Sequence, residues 1–285
     1  MPQLPSQLIV FIAIISFSLF SVTPHPAQGE ELPTGKKTMI TAAGSGVNLG
    51  ITRLLAAAFS RQHPTTMVDV PGSIGSKGAI TAAAEGAIAL GLVSRPLKAK
   101  EQRLGLVYHP YAQVAMMIGV HPTVAEKNIT SAELVQIFQG NKSHWQDGNE
   151  IIVLAREEGD SGFQVLSDKI SGFRQAWDES RAAKRWTLFF TDQDANRALS
   201  STPYALGVAD LGMITCEHLA IKPLSLDGIP ATLDNVASGQ YPLTRELAFV
   251  FRADKLSPEA KAFMAFVFSD AGKRILRENK YAPRQ

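Results

Sequence analysis

The chain has 285 residues, 45% of them hydrophobic and 19% charged, with 28 Lys and Arg against 26 Asp and Glu and a single cysteine. At roughly 100–200 residues per domain, that length makes one large domain or two modest ones with real cores. A formal charge of +2 leaves no basic excess to neutralise a run of phosphates, which excludes a general nucleic-acid binder, and Cys216 alone supports neither an intrachain disulfide nor a cysteine-based zinc cluster.

In chain order, residues 8–22 read LIVFIAIISFSLFSV, without a charge. The run is short for a membrane span, which needs about 20 residues, and Ala27-x-Gly29 offers small residues where signal peptidase cuts. The sequence therefore predicts a signal peptide over 1–29 and a periplasmic destination. With no cysteine near the cut, the protein is not expected to be a lipoprotein. Residues 30–36 read as a leader. A strand is predicted over 37–42, then a helix from Gly44-Ser45-Gly46 to His63-Pro64, with Ile51, Leu54, Leu55, Ala58 and Phe59 at helical spacing. A strand at 66–70, an Ala-rich helix at 79–85 and a strand at 87–93 follow, a series that argues for a parallel sheet covered by helices. Residues 114–120 (VAMMIGV) read as a strand, and Thr130 or Ser131 as the N-cap of a helix ending at Gly140. A second series has a strand at 150–154 and a helix at 163–170. Residues 204–214 read as a turn of helix and then a short strand, 242–251 as a long apolar run, and Ser257-Pro258-Glu259 as the start of one closing helix through Ile275.

Small residues and hydroxyls recur where strands give way to helices: Gly44-Ser45-Gly46, Gly75-Ser76-Lys77, Ser94-Arg95 and Asp160-Ser161-Gly162. Free backbone N–H groups at a helix N-terminus, its dipole and a serine hydroxyl together surround an oxyanion without a full counter-charge, and in open α/β sheets such loops gather at the carboxyl ends of the strands. Each loop taken alone is equally an ordinary turn or cap. Arg156 ends a strand beside the Ser161 loop, where its guanidinium either grips two oxygens of a tetrahedral anion or pairs with Glu157, Glu158 or Asp160.

The segments GSGVNLG, PGSIGSKGAI, SRPLKAKE, REEGDSGF, TPYALGVADLGMI and YPLTRELAFVF occur in that order. In them the chain resembles the substrate-binding proteins of phosphate ABC transporters, in the periplasmic binding protein superfamily. The resemblance implies a type II α/β fold of two lobes, residues 37–112 with 247–285 and residues 113–246, hinged on two crossover strands. It further implies a monomer that captures inorganic phosphate for a permease in the inner membrane, with ligand contacts at Ser45, Gly46, Ser76, Ser94, Arg95, Arg156, Ser161 and Gly162. Two departures bear on the ligand. Asp160 is inserted into the usual R-x-x-G-S-G-T loop, and Phe163 stands where that loop has a hydroxyl. Arg95 occupies a position where some members carry an aspartate that accepts a proton from the bound phosphate; a guanidinium has no acceptor. Asp160 is expected either to take that part, favouring protonated phosphate over sulfate, or to cap the following helix.

Rival readings fail on context. Gly159-Asp-Ser-Gly162 matches a serine-protease signature, but that chemistry needs a β-barrel and an upstream His and Asp. Gly44-x-Gly46-x-x-x-Gly50 misses the dinucleotide spacing by one residue. Five of the histidines, His63, His109, His121, His144 and His218, are scattered without ligand spacing. No enzyme, metal or cofactor is expected, and the alternative is a binding or sensing protein of the same fold for sulfate, molybdate or a phosphonate.

Overall fold

The computed structural model describes residues 37–284; the predicted signal peptide over 1–29 and the leader at 30–36 lie outside the described residues. Its first part alternates strand and helix: β1 (Thr38–Gly44), α1 (Gly46–Gln62), β2 (Thr66–Asp69), α2 (Gly75–Glu85) and β3 (Leu90–Val93). The short α3 (Ala99–Gln102) leads into β4 (Val107–Val120) and β5 (Asn128–Ile129), and then α4 (Ser131–Gln139). In α4, Thr130 and Glu133 cap each other reciprocally and Gly140 closes the helix at φ 81°, a left-handed conformation that glycine adopts without strain. The second series comprises β6 (Ile152–Arg156), α5 (Ser161–Lys169), α6 (Phe173–Ala182), β7 (Thr187–Phe189), α7 (Asp192–Ser201), β8 (Ala205–Asp210) and α8 (Leu211–Cys216). After β9 (Lys222–Pro223), β10 (Ser225–Leu226) and α9 (Leu233–Ala237), the chain returns through β11 (Thr244–Phe251), α10 (Pro258–Phe268), α11 (Asp270–Glu278) and β12 (Tyr281–Pro283).

Several expectations are corrected. Residues 204–214 run strand then helix, the reverse of the predicted order, because Ala-Leu-Gly-Val-Ala is buried in mid-sheet and carries no periodicity that separates the two states. The closing helix is two helices: Ser269 ends α10 and its side chain caps α11 by accepting from the Gly272 amide. Leu54, read as part of the inner stripe of α1, is 40% exposed. The strand β4 begins at Val107, not Val114. Pro110, which donates nothing to a ladder, is accommodated where the β4–β11 register shifts between Leu247 and Ala248. The helix α5 begins at Ser161 rather than Phe163, and α2 at Gly75 rather than Ala79, so both serine loops are first turns of helices.

The main sheet has 10 strands, eight along the path β2-β1-β3-β11-β4-β8-β6-β7 and two, β9 and β12, paired with β4 off it. Pairing is parallel for β1 with β2 and β3, and for β6 with β7 and β8; it is antiparallel where β11 meets β3 and β4 and where β4 meets β8. The two strand-helix series thus do not form separate sheets. One ladder passes between them through β4, whose residues 107–115 pair with β11 and 116–120 with β8. The buried side chains do divide. One cluster draws on residues from Ala115 to Leu243. A second draws on Ile40 to Ala112, Val114 and Leu247 to Tyr281, and a smaller third, around Ala79, Ile80 and Val250, covers the other face of β3 and β11. The chain crosses between the two main cores within β4, from Val114 to Ala115, and again at the start of β11, from Leu243 to Leu247, which is the two-lobed α/β architecture with two crossover strands.

Candidate anion-binding site

The starts of α1, α2, α5 and α7 meet between the two cores. They line a cavity of about 680 Å³ to which the exposed side chains of Ile74, Lys77, Lys98, Lys100 and Phe190 also contribute. Its buried lining comprises Ser45, Glu101, Arg156, Asp160, Ser161 and Asp192. In this inner part four hydroxyls converge. Ser94 Oγ lies 2.9 Å from Ser45 Oγ, 2.9 Å from Ser161 Oγ and 3.3 Å from Ser76 Oγ, and the Ser94 amide donates to Ser76 Oγ at 3.1 Å. Ser161 comes from the second core and the other three from the first, so the Ser94–Ser161 contact ties one to the other. A second tie is Gln193 Nε2 donating to the Gly46 carbonyl at 3.2 Å. Three oxygen–oxygen contacts consume three of the four hydroxyl protons and leave one for a ligand.

The backbone adds donors. Ser45 is the N-cap of α1, yet its side chain makes no cap hydrogen bond, and the amides of Gly46 and Val47 have no acceptor among the described residues. The helix α5 is built differently. Asp160 is its N-cap, and Oδ1 accepts from the amides of Gly162 at 2.9 Å and Phe163 at 3.3 Å. Arg156 ends β6 with its guanidinium held in place: Nη1 donates to the Phe189 carbonyl at 3.0 Å and Nη2 to Asp160 Oδ2 at 3.1 Å, while Nε is buried without a partner. Of five guanidinium N–H groups, two are used and three remain.

Behind this wall lies Arg245 on β11, its side chain 1% exposed. It donates to Asp160 Oδ1 at 3.4 Å and lies 3.6 Å from Asp192 Oδ1 and 3.5 Å from Asp210 Oδ1. Asp192 also lies 3.8 Å from Arg156 Nη2. Burial pushes the Asp160 carboxyl up, but Arg245 and then Arg156 outweigh it and hold Asp160 below the usual carboxylate range. For Asp192, burial and then the Asp160 charge prevail and push the carboxyl up. Burial pushes Asp210 to about 7 against the pull of Arg245. A Cβ added at Gly162 would collide with Arg245 Nη2, so this glycine admits the guanidinium behind the helix start.

Of the residues singled out from sequence, Ser45, Ser76, Arg95, Arg156, Asp160 and Ser161 line the cavity, and Ser94 joins their hydroxyls. Gly46 and Gly162 do not line the cavity; the Gly46 amide has no acceptor among the described residues, and the Gly162 amide is spent on Asp160. Arg95 is forked onto Glu101 at 2.7 and 2.8 Å and donates to the Pro96 carbonyl at 2.9 Å, so three of its five N–H groups are spent, and the bond to Glu101 chiefly holds that carboxyl below the usual range. Asp160 takes the capping part that the sequence left open. Three residues went unnoticed: Asp192, Asp210 and Arg245. The hydroxyl-then-acid run Thr191-Asp192-Gln193-Asp194 is a helix start, and Arg245 shares a strand face with the buried Leu243 and Leu247, an alternation that places a charge inside.

The sequence pattern of the PBP superfamily domain matches residues 25–271. The chain belongs to this family. Among PBP superfamily members, the Phosphate-binding protein PstS of Bacillus subtilis is 26% identical over 266 residues, which is 90% of this chain and 83% of that protein. A putative phosphate ABC transporter substrate-binding protein from Clostridium perfringens, solved with bound phosphate, superposes with a TM-score of 0.77 at 20% identity, covering 87% of this chain and 100% of that one. An ABC-type phosphate transport receptor from Vibrio cholerae gives a TM-score of 0.60 at 22% identity, over 86% of this chain and 99% of that one.

Proposed function

We propose that this PBP superfamily protein captures inorganic phosphate between its two lobes and hands it to an ABC permease in the inner membrane. The observation that carries the reading is the convergence of four serine hydroxyls, drawn from both cores, beside a buried arginine with three N–H groups to spare. A tetrahedral oxyanion needs several donors at short range and one cation. Helix starts and hydroxyls supply the first without bringing a full counter-charge, and Arg156 supplies the second. Ser45, Gly46, Ser76 and Ser94 would hold the anion from one lobe and Arg156 and Ser161 from the other, with the β4 and β11 crossovers as the hinge. Because the contacts come from both sides, ligand stabilises the closed arrangement over any open one by its differential affinity. The names of the relatives favour phosphate over the other oxyanions. The process is binding and release by a monomer, and export through residues 1–29 would place it in the periplasm beside its permease. Calorimetric titration of the purified protein with phosphate and with sulfate tests the reading. Saturable binding of phosphate and much weaker binding of sulfate is expected, and preference for sulfate would move the protein to another oxyanion.

A further inference from the structure

The YPLTR segment marks the family resemblance without contributing to the cavity, and its arginine is the most fully enclosed cation of the buried charge cluster. We propose that Arg245 is a positioning residue for anion binding: it holds the carboxylates of Asp160 and Asp192 from behind, so that Arg156 presents its unused N–H groups to the anion. This rests on the capture reading above and adds to it a residue that never touches the ligand.

The geometry carries the argument. Asp160 and Asp192 both face Arg156 Nη2, at 3.1 and 3.8 Å, and both line the cavity. With Arg156 as their only cation, two carboxylates would face one guanidinium, leaving the wall that must receive an anion negative by one charge. Arg245 approaches the same two carboxylates, at 3.4 and 3.6 Å, without lining the cavity. Arg156, Arg245, Asp160 and Asp192 then sum to zero, while Asp210, 3.5 Å from Arg245 Nε, is pushed up to about 7 by burial and adds at most part of a charge; Asp160 is divided so that Oδ2 meets Arg156 while Oδ1 meets Arg245 and the α5 amides. Fold stability alone does not account for such a residue. Nε and Nη1 of Arg245 are buried without hydrogen-bond partners, and a buried ion pair is often no more stabilising than well-packed apolar side chains of similar volume. What the guanidinium supplies, and an apolar side chain cannot, is the charge balance of the wall behind Arg156.

The test is calorimetric titration with inorganic phosphate of the wild-type protein, Arg245→Met, Arg245→Lys and each variant combined with Asp192→Asn, with a melting curve for every protein. Arg245→Met is expected to bind at least about 30-fold more weakly, the effect typical of removing one partner of a buried hydrogen-bonded charge pair. Adding Asp192→Asn restores the balance and should bring affinity back to within about fivefold of wild type, as expected for groups coupled in one network. A lysine keeps the charge but has no fork to span both carboxylates, so Arg245→Lys should lie between, about 3- to 10-fold weak, and be improved by Asp192→Asn. A folded Arg245→Met protein that binds within about threefold of wild type overturns the proposal, as does a double variant no tighter than its parent. If Arg245→Met does not fold, the lysine pair decides by the same comparison. A wild-type protein that binds no phosphate overturns the capture reading and this proposal with it, whereas a normal wild type with either result above overturns this proposal alone.

Discussion

Replacing Arg156 with alanine removes the one cation of the inner cavity wall that has donors left for a ligand. In the folded protein the four groups Arg156, Arg245, Asp160 and Asp192 balance; without Arg156 the wall is left with a net charge of −1 facing an incoming anion. Losing one partner of a buried, hydrogen-bonded charge pair costs about 2–5 kcal/mol, or at least about 30-fold in affinity. The fold should survive, because Asp160 keeps Arg245 at 3.4 Å and the amides of Gly162 and Phe163 as partners. The Phe189 carbonyl keeps the Glu157 amide at 3.3 Å as a donor, while Asp160 Oδ2 loses its hydrogen-bond partner, at a stability cost of about 1–3 kcal/mol. The informative control is Arg95→Ala. Its guanidinium is forked onto Glu101, so its removal should change phosphate affinity by less than about threefold, which is under 1 kcal/mol. Calorimetric titration reads the affinities and a melting curve reads the fold. An Arg156→Ala protein that melts cooperatively and binds phosphate within threefold of wild type would refute the reasoning, and so would an Arg95→Ala effect as large as that of Arg156→Ala.

Ser94→Ala removes the oxygen to which three other hydroxyls are joined, and with one donor gone and three neighbours released, phosphate affinity should fall by about 1–2 kcal/mol, or roughly 5- to 30-fold; unchanged binding would mean that the hydroxyl cluster faces no ligand. Asp210→Asn should alter the pH dependence of stability in a defined direction. Burial raises the folded-state pKa of Asp210 from the ordinary carboxylate range to about 7, so its contribution is fully present below about pH 4 and is lost as pH rises toward 7. The melting temperature of the variant should therefore gain on that of wild type between about pH 4 and pH 7, and a gap that does not change with pH would contradict the assignment. Gly162→Ala puts a methyl group against Arg245 Nη2, and is expected to lower both the melting temperature and phosphate affinity, whereas an alanine variant indistinguishable from wild type in both would show that the guanidinium has room to move.

How much of this was legible in the sequence depends on the length scale of the signal. Alternation of β-branched runs with periodic helices sufficed for β1 through β3 and for α4, where Thr130, Glu133 and Gly140 state both ends of the helix in local chemistry. It failed at 204–214, where small apolar residues fit strand and helix alike. It also failed to announce α6 and α7, whose buried faces are short and partly polar, with Ser180 on one and Asp192 and Asn196 on the other. The serine loops were visible because hydroxyl and glycine at a strand end is a local pattern. The charge cluster was not: Arg245 reaches Asp160 across 85 residues of chain, and nothing near either residue in sequence announces that pairing. Arg95 and Arg156 look equivalent as residues beside serine loops, and only the fold separates them, through a glutamate six residues on that occupies the first.

Whether a PBP superfamily fold with this hydroxyl cluster and this arginine binds phosphate is decided by titration calorimetry of the purified wild-type protein with inorganic phosphate. One site per chain should saturate, with a Kd of about 1 µM or tighter, equivalent to roughly −8 kcal/mol. No saturable heat with phosphate raised to about 1 mM, where even a −4 kcal/mol site is half filled, would contradict it.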